Sequence, residues 1–482
     1  MVIPEKLFSA VVDIFWLFSI VFMLGSLYWP IKIKKFKPSA STIVIIIVLV
    51  FAFIIRFVDL SNLPWFVHGD EAEIGLGTRA IISGRYRGLV GVGWYNVPLI
   101  SFAWPIIFFR FFGDNLFSLR LASVFLGIIS IIFTYLIAKI YLKKPYAVAA
   151  ACLLTLSVLH LHFSRSGTHY MQAVAVTAIC FYAFLKGLET KSFRLLTLAG
   201  FFAGLSLSVY YAARFILILL PVFLVMESVK GTFRKHQRMI ILSLLYGFLF
   251  SALPMVIFFI SHSYEFFSRT REVFIFTNYP YFVDGYQTSS FAVIIYRQFI
   301  QTVHFFFGAA DKSLQSGLSK GGFDRLTSMF FFFGLFLYAK NLSKDYRARF
   351  FFLWILCLLA ASVLTIDAPF SPRLLSITPI VVITVSYALQ SILKHHQHLL
   401  LSVFILLVTV ANLKMYFVDY KNNQQYTEYA VLAFFIRDWA AAHPRSYFCV
   451  VSNRYVFDYG TIRFLVPQAK GTTYKEFNGD KN

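Results

Sequence analysis

Acidic residues are scarce in this chain: 22 Asp and Glu stand against 44 Lys and Arg over 482 residues. Charged residues of either sign make up only 14% of the sequence, while 59% is hydrophobic and 19% aromatic. Soluble domains carry roughly 25% charge, so this composition excludes an ordinary soluble fold. Cysteine is also sparse, with Cys152, Cys180, Cys357 and Cys449 in no CxxC spacing. That excludes a disulfide framework and a thiolate metal site. No glycine-rich phosphate loop occurs, and the basic loops are short, which argues against a nucleotide-sugar site. The net charge of +22 does not point to nucleic acid, because the cations lie in short clusters between apolar runs rather than along one face.

What the chain does have is a succession of apolar runs long enough for a hydrocarbon core about 30 Å thick, which takes roughly 20 residues per helix. They lack the alternation of a β-barrel, so the expected class is all-α and polytopic. Candidate spans run over 8–30, 41–60, 116–141, 145–163, 168–187, 195–211, 212–228, 239–261, 325–339, 349–366, 374–392 and 398–418, about twelve transmembrane helices. Threaded in order, the loops KIKKFK, LKKPY, KGLETKSFR, KGTFRKHQR, AKNLSKDYRAR and LKHHQH fall on one side, which the positive-inside rule makes cytoplasmic. Counting Trp94–Phe112 as a span would invert every later loop, so it reads as a helix on the outer surface. Three regions follow. Residues 1–40 supply an extra, retained N-terminal helix and a basic loop; 41–418 form the main membrane module, with one long external loop at 61–115; and 419–482 form a small extracytoplasmic α/β tail.

In that loop the stretch WFVHGDEAEIG places Asp70, Glu71 and Glu73 within four positions. One Asp at the bilayer centre costs about 2.5 to 3.5 kcal/mol, so three carboxylates belong at an interface. On a helix Asp70 and Glu73 share a face, with Glu71 about 100° away, and repulsion is expected unless a cation is near. The plain reading is a solvated acidic helix start. Against it stand isolated arginines at the outer ends of spans, Arg120, Arg165, Arg214 and Arg373, where the charge rule disfavours cations. Each alone could snorkel to headgroups. Together they suggest a phosphate-bearing lipid, since guanidinium grips phosphate through two bonds.

The order of GDEAEIG, FFGDNLFSLRLASVFLGI, HFSRSGTHYMQAVAV, FYAFLKGLE, LAGFFAGLSLSVYYAARF and SPRLLSITPI resembles the family 39 glycosyltransferases over residues 41 to about 392. These membrane enzymes, which include protein O-mannosyltransferases and aminoarabinose transferases, use polyprenyl-phosphate sugars. The resemblance implies a GT-C fold with juxtamembrane helices in the first external loop. It further implies a multi-pass plasma-membrane protein with its active site outside, and transfer from a polyprenyl-phosphate-linked sugar to an extracytoplasmic acceptor such as protein, lipid A or glycan. By it Asp70 is the catalytic base and Glu71 its companion, and direct attack inverts the anomeric centre. Arg165, Arg214, Arg373 and His169 are expected at the donor phosphate; His68, Glu73, Asn96, Tyr210 and Tyr211 are expected along the substrate.

Two departures stand out. Asn96 replaces the Lys or His of the family's surface helix, and His169 replaces an Asp, which weakens a carboxylate-bound divalent metal. A polymerase or ligase of surface polysaccharide, drawing on Arg269, Arg271 and Arg297 of the 262–324 segment, is the alternative enzyme. A polyprenyl-lipid flippase is the non-enzyme alternative.

Overall fold

The computed structural model describes residues 40–313, 318, 321–393, 397–422 and 428–475, together with 13, 14, 16–21 and 25. Most of the expected first span and the basic loop after it therefore lie outside the described residues. A helix stands at every later expected span. Among the described residues seven helices are long and apolar enough to cross a membrane: Leu116–Tyr141, Tyr170–Thr190, Tyr211–Val229, Gln237–Ser261, Tyr346–Val363, Ser371–Ile392 and Gln397–Tyr420. Shorter apolar helices include Ser41–Phe57, Lys144–Leu156 and Phe193–Leu205. In lipid every backbone amide needs an internal partner, and the helix supplies it for these runs.

The expected span 145–163 is broken at Ser157, which leaves helical geometry (ψ 117) and hands over to a short helix, Val158–Phe163. Helices Phe193–Leu205 and Gln237–Ser261 cross through glycine. A Cβ on Gly200 would lie 2.0 Å from Leu244 O, and one on Gly247 1.9 Å from Thr197 O. Such close approach of two backbones substitutes for a hydrophobic drive that lipid cannot provide.

Ionisable groups do occur within the packed helices, and they are satisfied there. Arg56 is fully buried and donates to Ser164 Oγ, to the carbonyls of Ala52 and Thr155, and contacts His160 Nδ1 at 3.0 Å. Glu227 and Arg349 pair with an Nη2–Oε2 distance of 2.6 Å.

The first external loop folds into two parts. The helix Gly69–Ile82 carries all three acids of the motif. Beyond it, the surface helix expected over Trp94–Phe112 is divided into a turn at Trp94–Asn96, a short helix Ile100–Ala103 and a longer one Ile106–Phe112. Pro98 and Pro105 sit at the two breaks, each lacking the N–H that would continue the ladder. The last piece buries Phe108 and Phe109 and exposes Ile107, Phe111 and Phe112.

The C-terminal tail contains the helix Glu428–Ala442, and then two parallel strands, Tyr447–Val451 and Lys470–Tyr474, joined through the helix Gly460–Leu465. Parallel neighbours require such a crossover. This crossover helix lies against Gly69–Ile82. A Cβ on Gly75 would meet the Phe464 ring at 2.2 Å, and one on Gly69 would meet Tyr459 Oη at 2.5 Å. Arg79 closes the junction, donating to Phe464 O at 2.9 Å and, through Nε, to both oxygens of Asp114.

Candidate active site

The acidic helix begins at His68, whose extended backbone (ψ 153) and Nδ1 cap it by accepting the Asp70 amide at 3.1 Å. Carboxylates in the first turn favour the helix by facing the positive end of its dipole. From that turn the three acids diverge.

Glu71 is buried and ion-paired. Arg120 Nε and Nη2 reach its two oxygens at 2.8 and 3.1 Å, and the Gly167 amide donates to Oε1 at 2.6 Å. The same guanidinium bonds the carbonyls of Leu60, Ser61, Pro64 and Phe66. Glu73 turns toward the tail, where a Cβ on Gly460 would stand 2.4 Å from its Oε1. Burial raises its carboxyl, with Arg463 opposing and Asp70 adding to the rise.

Asp70 alone of the three lines a cavity of about 230 Å³, at the end of the bundle away from the Lys/Arg-rich loops. Its side chain is 25% exposed, and Tyr170 donates its hydroxyl to Oδ2 at 2.7 Å. His169, Tyr210 and Tyr211 complete one wall. The His169 ring packs against Tyr170 and Tyr210 at 4.9 and 4.8 Å between centroids, and neither of its nitrogens has a hydrogen-bond partner. Burial lowers its pKa to about 4, with Asp70 raising it and Arg269 lowering it. It is therefore neutral near pH 7, with one N–H and one lone pair to offer.

Trp94, Tyr95, Val97, Arg269 and Phe370 complete the lining. Arg269 donates to Tyr95 Oη at 2.9 Å and to Glu272 at 2.7 Å, and it lies 5.0 Å over the Tyr95 ring. Tyr95 holds φ 54, and Tyr211 Oη donates to its carbonyl at 2.9 Å, which fixes the turn against the wall.

Of the residues named from sequence, the cavity brings together Asp70, His169, Tyr210 and Tyr211. Arg165 is elsewhere: it is fully buried and spends its guanidinium on the carbonyls of Ile55, Val58, Asp59 and Leu63. Arg214 and Arg373 each sit one aromatic ring behind the cavity wall. Arg214 lies 4.9 Å over Tyr211, with Nε and Nη2 unpartnered, and Arg373 lies 4.2 Å over Phe370. Asn96, His68 and Glu73 do not line the cavity. Sequence reasoning missed Tyr170, Trp94 and Tyr95, and it met Arg269 only through the alternative polymerase reading. The signal for Tyr170 was its place beside His169. Among the described residues no group of three or more His, Cys, Asp or Glu could hold a metal ion.

Comparison with known proteins gives a consistent picture. Residues 96–258 match the model of the dolichyl-phosphate-mannose-protein mannosyltransferase family. An undecaprenyl phosphate-alpha-4-amino-4-deoxy-L-arabinose arabinosyl transferase of Pseudomonas fluorescens is 32% identical over 111 residues, which cover 22% of this chain and 20% of that protein. The structure of ArnT from Cupriavidus metallidurans bound to undecaprenyl phosphate superposes with a TM-score of 0.56 at 14% identity, over 92% of this chain and 87% of that one. The Archaeoglobus fulgidus oligosaccharyltransferase gives 0.54 at 15%, over 89% and 62%. The matched stretch of the arabinosyl transferase spans a fifth of its length, and the family model matches only residues 96–258 of this chain. The chain is a multi-pass membrane protein with the GT-C fold of membrane-embedded glycosyltransferases.

Proposed function

We propose that the protein is a membrane glycosyltransferase that moves a sugar from a polyprenyl-phosphate carrier to a hydroxyl-bearing acceptor on the extracytoplasmic face of the plasma membrane. The observation that carries this reading is the cavity in which Asp70, the unpartnered His169 and Arg269 meet among the aromatic side chains of Trp94, Tyr95, Tyr170, Tyr210, Tyr211 and Phe370. The GT-C fold and the ArnT likeness support the class of donor. The positive-inside rule, applied to the basic loops, supports the extracytoplasmic side.

In this reading the acceptor oxygen attacks the anomeric carbon, opposite the phosphate, and inverts the centre. The bond from that carbon to the phosphate oxygen breaks, its electron pair leaves on the polyprenyl phosphate, and the acceptor proton passes to Asp70. A carboxylate base within hydrogen-bond reach contributes about 10² to 10⁴ in rate. Tyr170, donating to Asp70 Oδ2, orients the base toward the cavity. The leaving phosphate needs charge stabilisation more than a proton, and fixed donors in a sheltered site supply it. Arg269 and the His169 N–H are those donors. Arg214 and Arg373 contribute field from behind the Tyr211 and Phe370 rings. Tyr210, Tyr211 and Trp94 offer faces for a sugar ring. Glu71 acts as a positioning residue, tying the base's helix to Arg120.

The polysaccharide polymerase or ligase reading draws on one observation, the presence of Arg269 from the 262–324 segment in the same cavity. Product length separates the two: single-sugar addition favours the first, transfer of a preassembled chain the second.

The test uses purified protein in nanodiscs, a panel of polyprenyl-phosphate sugars, and membranes from cells lacking the protein. Loss of sugar from the carrier that depends on those membranes and is slowed at least about 100-fold by Asp70→Asn supports the reading. Equal consumption by Asp70→Asn contradicts it.

A further inference from the structure

A second group of cations stands on the outer surface, away from the cavity. Arg79 lies nine residues after Asp70, about 13 Å along the helix at 1.5 Å per residue. On either side of its clamp to Asp114 are two adjoining cavities, of about 480 and 260 Å³, and both are lined by Arg79 and Arg85. Arg110 completes the first; Arg463, from the tail's crossover helix, lines the second, together with Asp458. The surplus is cationic on the face where the charge rule disfavours cations.

Apart from Arg79, these guanidiniums form no ion pair among the described residues, and Arg463 meets an acid only through the charge of Glu73. Arg85 donates only to Ser83 Oγ at 3.3 Å, and among the described residues the side chains of Arg110 and Arg463 make neither a hydrogen bond nor an ion pair. All three are exposed. Arg110 is followed by Phe111 and Phe112, which are 79% and 54% exposed on a short helix whose other face is buried. Such rings enter the headgroup layer, which sets Arg110 at the depth of lipid phosphates. Planar donors in a concave, membrane-level site match a phosphate monoester better than a zwitterionic headgroup, because its two charges can take two guanidiniums at once.

We infer that the junction of the acidic helix, the surface helix Ile106–Phe112 and the tail is an anion site for the phosphate monoester of a membrane-embedded molecule, distinct from the Asp70 cavity. The site goes beyond the transfer reading, and its test measures binding without transfer.

The probe is phosphatidic acid, compared with phosphatidylcholine of the same acyl chains and with inorganic phosphate, added to the purified full chain and read by native mass spectrometry. Wild type is expected to retain phosphatidic acid over phosphatidylcholine by at least about fivefold, close to 1 kcal/mol. In Arg85→Gln/Arg110→Gln that preference should fall to near unity, with an unchanged melting temperature, since Arg85 holds only the long, exposed bond to Ser83 and Arg110 holds no partner residue. The control is Arg234→Gln/Lys235→Gln, which alters the basic cavity at the opposite end of the bundle. Equal retention by wild type and Arg85→Gln/Arg110→Gln, or loss of preference in the control instead, overturns the site. Inorganic phosphate displacing the lipid at equal concentration would support the anion site and replace its lipid source by a soluble one.

Discussion

Asp70 and Glu71 are adjacent in sequence and differ in everything that follows from it. Glu71 is almost without solvent, held by both arms of Arg120 and by the Gly167 amide. Asp70, one step round the helix, keeps a quarter of its side-chain surface open and looks into a cavity beside a histidine whose nitrogens have no partner. A saturated buried pair has little left to offer a substrate. A half-open carboxylate next to an unspent imidazole does. The difference separates the scaffold of the site from its working surface, and the arginines divide the same way. Arg120 and Arg165 knit the chain between Ile55 and Phe66 through its carbonyls, whereas Arg269 faces the cavity.

Breaking the scaffold side should have the largest effect. Glu71→Ala leaves Arg120 buried without its counter-charge, a loss of about 3 to 5 kcal/mol. A large drop in melting temperature, or failure to recover folded protein in detergent, checks it. On the working side, His169→Phe should keep the fold, because no hydrogen bond is lost and a ring of similar shape remains. Its transfer rate should fall about 10²-fold, in the range found for removing one preorganised donor, as measured by single-turnover kinetics. The tail's contact with the acidic helix is the next part to probe. Gly75→Ala drives a Cβ into Phe464, and overpacking of this kind costs about 1 to 3 kcal/mol. Proteolysis of the tail should become faster while the membrane helices stay protected.

The last prediction concerns pH. His169 has a folded pKa of about 4, below the ordinary histidine value. The unfolded chain therefore binds the extra proton first, and stability should decline as pH falls from about 6.5 toward 4. Wild type should lose melting temperature across that window more steeply than His169→Phe.

Hydropathy and the charge rule made the membrane architecture legible, because lipid leaves the backbone few options. They also located the acids, since GDEAEIG is costly anywhere but an interface. What the sequence could not convey was which polar groups would satisfy one another. Arg165 looked free for a phosphate, yet the turn from Val58 to Leu63 presents a ring of carbonyls that consumes it. That turn is a product of tertiary packing, not of local spacing. The surface helix was read as one piece, although Pro98 and Pro105 divide it, and the division is what carries Tyr95 to the cavity. Arg269 comes from a segment about two hundred residues after the motif, and only the folded chain brings the two together.

The most direct measurement sets Asp70→Asn beside Glu71→Gln in one preparation, recording melting temperature and transfer rate per folded molecule for each. The expected result is an unchanged melt with a rate at least about 100-fold lower for Asp70→Asn. For Glu71→Gln it is a lowered melt with a rate reduced by less than about tenfold, because the base itself remains. The reverse pattern, activity surviving in Asp70→Asn and vanishing from well-folded Glu71→Gln, would contradict the assignment of chemistry to the Asp70 cavity.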